Sequence, residues 1–394
     1  MTIYKDKFSI TKPIKLGIVG GGQLGKMLAI EAKRMFMHVI ILDPSSDCPA
    51  SYIADKVIVG DFSNEQKIYE LAEESDLITY EIELANSKAL IELQNKGYIV
   101  HPSPDTLKII QNKYRQKSFL KENGIPTPTF ELITSKDNLE KICLEYGFPV
   151  MLKACENSYD GRGNYLIKEK GQITTAFSYF SGKQCMVEKF IDYKKEISIM
   201  IARNPSGDIS YFPIGENVHK DNILHFTIAP AKIDKEIETK AIEIAVKTIK
   251  SLKGAGIFGI EMFIDKNNEV FINEIAPRPH NSGHYTIEAC SISQFEQHIR
   301  AILNFPLPKP FLISNAIMIN ILGPKEIKGN YEINGVYKLF SMEGVKIHIY
   351  GKKVTNYHRK LGHVTVLLKN RDPIKIFEEI DKTISIIAKN ESDK

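Results

Sequence analysis

Glu261 and Glu274 are the residues whose placement most demands a chemical explanation. They stand in the stretch GIEMFIDKNNEVFINEIA, residues 259–276, where two apolar-rich runs flank a polar Lys-Asn-Asn-Glu turn. Folded as a hairpin about that turn, the run sets Asp265 opposite Val270 and Glu261 opposite Glu274. Like charges at a cross-strand pair repel, so such a pair needs a compensating cation. Oxygen ligands in this arrangement suit Mg²⁺, which takes one or two carboxylates together with substrate phosphates. Asn273 offers a further oxygen if the strand bends. Two solvated glutamates are the plainer alternative, and Phe263 and Ile272, expected on the same face, argue against it.

Arg278 lies four residues beyond Glu274, in Ala276-Pro277-Arg278-Pro279-His280-Asn281-Ser282-Gly283-His284. A guanidinium in such a loop can hold a planar oxyanion bidentately. His280 and His284 are four residues apart, but Pro277 and Pro279 disfavour a helix and no His-Glu-x-x-His signature occurs, so zinc is not expected. Upstream, Lys153 ends a strand, and Tyr159-Asp160-Gly161-Arg162-Gly163 has the composition of a flap over phosphates, although a hairpin turn fits it as well. Glu188-Lys189-Phe190-Ile191, at another strand end, offers main-chain groups to an adenine edge and a carboxylate to a ribose. Gly20-Gly21-Gly22-Gln23-Leu24-Gly25 matches Gly-x-Gly-x-x-Gly between a strand and a helix, with Asp43 ending the next strand where a dinucleotide unit places its ribose acid. A nicotinamide or flavin site, another phosphate or small ligand, and a purely structural turn all fit that motif.

These groups need a scaffold. Short apolar strands over residues 15–20, 38–42, 57–59, 77–80 and 99–100 alternate with helical stretches, the first over 23–37, and imply a doubly wound parallel sheet across about 15–105. A helix is expected from the prolines at 102 and 104 through Leu120, then a junction at Gly124-Ile125-Pro126-Thr127-Pro128. Strands follow at 150–153, 164–167, 184–190 and 196–202. An amphipathic helix over 235–252 stops before Gly254, and another helix covers 293–304. Pro306, Pro308 and Pro310 mark a linker, after which a small strand-rich domain closes with a helix over about 373–388.

The composition narrows the class. With 394 residues, 43% apolar and 25% charged, the chain suits two or three soluble domains. Lys and Arg number 52 against 48 Asp and Glu, and the net charge of +4 without a dense basic run excludes a charge-driven nucleic-acid binder. Five scattered cysteines without a Cys-x-x-Cys pair read as free thiols of a reducing cytosol. No apolar stretch reaches membrane-spanning length, and the polar arm 1–14 lacks a signal-peptide core, so a cytoplasmic protein without membrane partners is expected.

Taken together, GGGQLGKM at 20–27, YDGRG at 159–163, EKFI at 188–191, NEIAPRPHNSGH at 273–284, SISQFEQHIRAI at 291–302 and RKLGH at 359–363 resemble the ATP-grasp superfamily. Within it, the chain is similar to the 5-(carboxyamino)imidazole ribonucleotide synthase (PurK) family. The resemblance spans nearly the whole sequence from about residue 15 and displaces the nicotinamide reading. It implies α/β and α+β architecture: an N-terminal doubly wound domain over 15–112, an ATP-grasp domain over 113–310 with a flap subdomain at about 148–188, and a small β-rich C-terminal domain over 311–394. It implies a carbon–nitrogen ligase in which bicarbonate attacks the γ-phosphate of ATP to give carboxyphosphate. That species, or CO₂ released from it, then carboxylates the amine of 5-aminoimidazole ribonucleotide in purine biosynthesis. Phosphoryl transfer needs charge neutralisation and positioning more than a protein nucleophile, so the lack of a catalytic triad is no objection.

By the same resemblance, the nucleotide would meet Lys113, Lys153, the flap residues Ser158, Tyr159, Asp160, Gly161, Arg162 and Gly163 with Asn164, and the edge Glu188, Lys189, Phe190 and Ile191. Glu196 would take the ribose with His219 nearby, and Glu261, Asn273 and Glu274 would hold Mg²⁺, or Mn²⁺ in its place. Arg278, Asp160, Arg162 and Lys352 would be catalytic. Gln23, Leu24, Glu81, Lys352, Arg359 and Lys360 would bind the ribonucleotide, with Glu83 competing with Glu81 for the inward position. A homodimer is expected from the family. Lys113 stands where the family's nucleotide-binding arginine is expected, Glu156-Asn157-Ser158 replaces glycines, and Asn164 stands where Gln is common. Rival readings are a formate-dependent glycinamide ribonucleotide transformylase, a biotin carboxylase, or a non-catalytic nucleotide-binding protein.

Overall fold

The computed structural model describes residues 12–156 and 163–389. Near the amino end, Lys15–Val19 (KLGIV) buries every residue but its first, because parallel strands covered on both faces read as continuous apolar runs. It pairs with His38–Asp43 on one side and Leu77–Tyr80 on the other, and Lys56–Val59 completes a four-stranded parallel sheet. On one face Leu24, Met27 and Leu28 of the helix Gln23–Arg34 pack with Ile299 and Ile302 from the far later helix Gln294–Ile302. On the other lie Glu65–Glu74 and Ser87–Asn95, through Leu71, Leu90 and Leu93. The first helix stops three residues short of the expected Met37, and Phe36 beyond it turns left-handed (φ 58°). The strand expected at 99–100 is a single bridge, Val100 to Ile78, held by the Ile78 amide on the Ile99 carbonyl and the His101 amide on the Ile78 carbonyl before the chain turns at Pro102 towards the helix Pro104–Ile110.

The helix expected to run through Leu120 is two helices, Pro104–Ile110 and Lys113–Glu122. Asn112 leaves the helical path, and its side chain accepts from the Arg115 amide at 2.9 Å as an N-cap. Four antiparallel strands then form a second sheet, in the order Phe130–Ile133, Cys185–Lys189, Val150–Ala154, Asn164–Ile167. Leu139 and Ile142 of Lys136–Tyr146 and Ile173 and Ala176 of Ile173–Tyr179 seal its core.

The largest sheet runs Val270–Ala276, Gly256–Asp265, Tyr193–Arg203, Gly215–Lys220, Ile223–Ala229, Ala316–Leu322, Lys360–Leu367 and Val345–Ile349, with Ile209–Tyr211 beside Tyr193–Arg203. The helix Lys235–Leu252 covers it, burying Ile237, Ala241, Ile244, Ala245 and Ile249 against Ile260, Met262 and Ile264. Its left-handed stop is Lys253 (φ 58°) and not Gly254. A Cβ at Gly254 would come within 2.9 Å of both Phe258 and Thr106, so that glycine serves close packing instead.

The carboxyl-terminal segment is strand-rich, and three of its strands extend this central sheet through pairs such as Phe226 with Ile319. The helix expected over 373–388 ends at Thr383. Ser385–Ala388 is a strand paired with Gly329–Asn334, because Ile384 and Ile386 pack on the adjoining apolar cluster. All five cysteines are free and buried. Among the described residues no helix is long and apolar enough to cross a membrane.

Candidate active site

Residues from all three of these layers line one cleft of about 1570 Å³. Its carboxylate pair is set by a bulge. From the turn upward Ile264 pairs with Val270, Phe263 with Phe271 and Met262 with Ile272. Asn273 is then skipped, and pairing resumes at Glu261 and Glu274. The expected pairing of Asp265 with Val270 is therefore wrong by one residue. Asp265 turns into the loop, where its Oδ1 accepts from the Asn267 and Glu269 amides, both at 2.8 Å, and Asn268 takes a left-handed φ of 66°. The extra residue restores the Glu–Glu register and places Glu261, Asn273 and Glu274 together on the cleft wall. It also turns Ile272 into the apolar core, so Ile272 does not share the glutamates' face as expected. Phe263 does face the cleft and stacks on Tyr193 with centroids 4.7 Å apart.

The two carboxylates are electrostatically unlike. Burial pushes Glu261 up to about 7, the Glu274 charge adding to the rise and His219 opposing it. Burial acts on Glu274 as well, but Lys113, 3.3 Å from its Oε2, and Lys153 outweigh it and hold the carboxyl below the usual range. An all-oxygen donor set of two carboxylates and the Asn273 amide fits a hard cation such as Mg²⁺. No group of three or more His, Cys, Asp or Glu ligands occurs among the described residues. Phosphate oxygens would have to supply the rest of the shell.

Behind the pair sits a buried charge cluster. Lys153 Nζ lies 2.7 Å from Glu188 Oε2 and donates to Asn273 Oδ1 at 3.3 Å. Lys117 Nζ lies 3.4 Å from Glu188 Oε1 and donates to Thr127 Oγ1 and the Ile272 carbonyl. Burial would raise Glu188, yet Lys117 and Lys153 bring it down to about 2; burial lowers Lys117 to about 8 against the pull of Glu188. The Glu188 carboxylate is thus engaged by two lysines and does not stand free for a ribose. Lys117 was not among the expected site residues; its burial with Gln116 and Leu120 on one face of its helix is visible only in the fold.

At the cleft mouth, two main-chain groups of the proposed adenine edge are already used. The Lys189 amide donates to Thr129, and the Ile191 carbonyl accepts from Tyr193. Phe190 lines the cleft beside them. Glu196 Oε2 lies 2.6 Å from His219 Nδ1; each is half-buried, and their pairing lowers the carboxyl and raises the imidazole. Of the flap, Ser158, Tyr159, Asp160, Gly161 and Arg162 lie outside the described residues. Gly163 accepts from the Ala154 amide at 2.8 Å, and Asn164 lines the cleft opposite Lys153.

The glycine loop closes the other end. Its Gly21 amide donates to Asp43 Oδ2 at 2.9 Å and its Gly22 amide to Glu81 Oε1 at 2.7 Å. Both acids cap the loop from within, so Asp43 is not a ribose acid, and the amides a dinucleotide would need are occupied. Glu83 instead pairs with Arg278, 2.7 Å from its Nη2, while Arg278 Nη1 donates to the Pro279 carbonyl. Gln23 lines the cleft; Leu24 does too, but packs mainly into the apolar cluster under its helix. Lys352, Arg359 and Lys360 line the same end, Lys352 Nζ 5.7 Å from the Tyr350 ring centre and Arg359 Nη1 donating to the Val354 carbonyl. His280, Nε2 3.8 Å from Glu261, also borders the cleft and was not among the expected site residues.

Known proteins share this fold. The chain matches the ribonucleotide synthetase preATP-grasp domain over residues 14–111, the ATP-grasp domain over 118–295 and the phosphoribosylaminoimidazole carboxylase C-terminal domain over 316–375. It is 38% identical over 359 residues to the N5-carboxyaminoimidazole ribonucleotide synthase of Bacillus subtilis strain 168, covering 91% of this chain and 92% of that one. The crystal structure of N5-carboxyaminoimidazole ribonucleotide synthetase from Thermotoga maritima superposes with a TM-score of 0.87 at 44% identity, over 95% of this chain and 100% of the other. The N5-carboxyaminoimidazole synthase from Aspergillus clavatus, in complex with ADP and 5-aminoimidazole ribonucleotide, gives 0.85 at 31% identity over 94% and 98%.

Proposed function

The chain belongs to the N5-carboxyaminoimidazole ribonucleotide synthase family, ATP-grasp ligases of purine biosynthesis, and we propose that it draws its carboxyl group from bicarbonate with Mg²⁺ at Glu261, Asn273 and Glu274. The observation that carries this reading is the single cleft, with a carboxylate pair and lysines at one end and a basic cluster at the other. The relatives solved with ADP and with 5-aminoimidazole ribonucleotide support ATP and that ribonucleotide as its substrates.

Mg²⁺ held there would neutralise charge on the ATP phosphates. Lys113 and Lys153 would approach those phosphates as fixed point charges, Lys153 anchored by Glu188. Glu196 and His219 would meet the ribose of ATP. Arg278, oriented by Glu83, would hold bicarbonate and then carboxyphosphate, while Lys352, Arg359 and Lys360 would take the phosphate of the ribonucleotide. Such a site works by positioning and by fixed charges directed at the transferring phosphoryl group. The five buried free cysteines suit a cytoplasmic location. The family likeness supports a homodimer, for which light scattering would read twice the chain mass of 44.6 kDa.

The test is ADP release coupled to a reporter, with bicarbonate and 5-aminoimidazole ribonucleotide omitted in turn. Release should require both and should not respond to formate plus glycinamide ribonucleotide. Turnover independent of bicarbonate would overturn the reading, and ATP binding without turnover would favour a non-catalytic protein.

A further inference from the structure

Asn281 opens a short helical turn, Asn281–Gly283, that packs against the central strands Tyr193–Arg203, Gly215–Lys220 and Ile223–Ala229. Its residue is only 7% exposed and lines the cleft, yet neither its Oδ1 nor its Nδ2 has a partner among the described residues. Buried amides nearly always find partners, and an asparagine brings both donors and an acceptor to be satisfied. The loop cannot readily turn this amide elsewhere. On one side of it the His280 amide donates to Gln294 Oε1 at 2.9 Å, and Gln294 Nε2 donates to the His280 carbonyl at 2.8 Å. On the other, Gln294 Nε2 lies 3.2 Å from His284 Nδ1. Three residues earlier Arg278 has both terminal nitrogens engaged, while its buried Nε has no partner among the described residues. The loop therefore carries, at the cleft wall, two buried polar groups without a partner among the described residues: a guanidinium N–H and a side-chain amide.

The fitting ligand offers acceptors to Arg278 and Nδ2 and a donor to Oδ1. We propose that Asn281 is a substrate-binding residue that holds the reacting end of the aminoimidazole, its Oδ1 accepting from the exocyclic amine and its Nδ2 donating to an oxygen of the incoming carboxyl group. This rests on the function proposed above and adds to it the residue that aligns acceptor with donor. An amide without a partner among the described residues is pre-organised for that pairing and gives up some stability for it.

The experiment compares Asn281→Leu and Asn281→Asp with the unaltered protein in ADP release, varying ribonucleotide, ATP and bicarbonate separately, alongside thermal unfolding. Asn281→Leu should raise the KM for ribonucleotide roughly tenfold, the loss of one to two hydrogen bonds. It should leave the KM for ATP within about twofold and Tm unchanged or higher, since an unpaired buried amide has been removed. Asn281→Asp keeps the acceptor but places a carboxylate against the incoming carboxyl group, so kcat should fall by roughly tenfold or more while the KM for ribonucleotide changes little. Ribonucleotide KM and kcat unchanged in both variants would overturn the assignment, whatever happens to Tm. If Asn281→Leu does not fold, the isosteric Asn281→Asp decides by the same criterion. Should the unaltered protein release ADP without needing ribonucleotide, the functional reading itself fails, and this inference with it.

Discussion

Lys117 and Lys153 approach opposite oxygens of Glu188 at 3.4 and 2.7 Å, with all three side chains less than a tenth exposed. Removing one charge from such a cluster leaves the others uncompensated in a poorly solvating place. Glu188→Gln should therefore cost about 3–5 kcal/mol of stability, read as a fall in Tm, and weaken ATP binding because Lys153 loses its anchor. Glu81 carries a pH dependence of known sign. Burial raises its carboxyl from 4.5 to about 7, so folding favours the protonated form. Its contribution to stability is complete below about pH 4.5 and is lost as pH rises through about 7, a swing of at most about 3 kcal/mol. Glu81→Gln keeps the acceptor for the Gly22 amide, so its Tm should match the unaltered protein near pH 4.5 and exceed it at pH 8. Equal pH profiles would refute the burial argument. Residue identities of this kind were legible in the sequence; their partners were not. Glu83 was a candidate ligand that proves to hold Arg278, and Glu188 a ribose carboxylate that proves to hold lysines.

At the scale of elements, the bulge at Asn273 sets the carboxylate pair of the proposed metal site. Side chains alternate along a strand, so one unpaired residue moves everything beyond it to the opposite face. Here that shift brings Glu274 to Glu261 and sends Ile272 to the core. Alternation alone predicted the glutamate pair through a turn register one residue off, and no residue pattern announced the compensating bulge. Glu274→Gln should abolish Mg²⁺-dependent ATP cleavage while near-UV circular dichroism stays native; retained cleavage would exclude Glu274 as a ligand. The glycine loop makes a similar point. A Cβ on Gly25 would lie 2.3 Å from the Gly20 carbonyl oxygen, a backbone atom with little freedom to move. Gly25→Ala should destabilise the protein by about 1–3 kcal/mol and raise the KM for ribonucleotide by displacing the loop at Gln23. The Gly-x-Gly-x-x-Gly spacing was correct about this strand–helix contact and silent about ligand, because Asp43 and Glu81 bond the loop amides.

The whole molecule is joined across its segments. Ala316–Leu322 pairs with Ile223–Ala229 and continues the central sheet, while Lys26 Nζ, on the first helix, donates to the Ile349 carbonyl at 3.0 Å. Ending the chain at residue 310 would leave Ile223–Ala229 as an open edge, and unpaired edges invite association. The shortened protein should aggregate, and any soluble fraction should lack ribonucleotide-dependent turnover. A monodisperse, ATP-binding product in size-exclusion chromatography would show that the sheet stands without its carboxyl-terminal strands.

The sequence by itself determined the alternation of strands and helices near the amino end, the family through motifs from the glycine loop to Arg359-Lys360-Leu361-Gly362-His363, and the residue types from which a metal and phosphate site is proposed. Those are local properties, set by periodicity, turn chemistry and side-chain charge. Tertiary structure alone decided that Val100 makes one bridge, that Ser385–Ala388 is a strand, that Lys117 lies buried against Glu188, and that Asn281 faces the cleft without a partner among the described residues. Each depends on which distant segment packs against it, and burial and partnership are properties of the assembled fold.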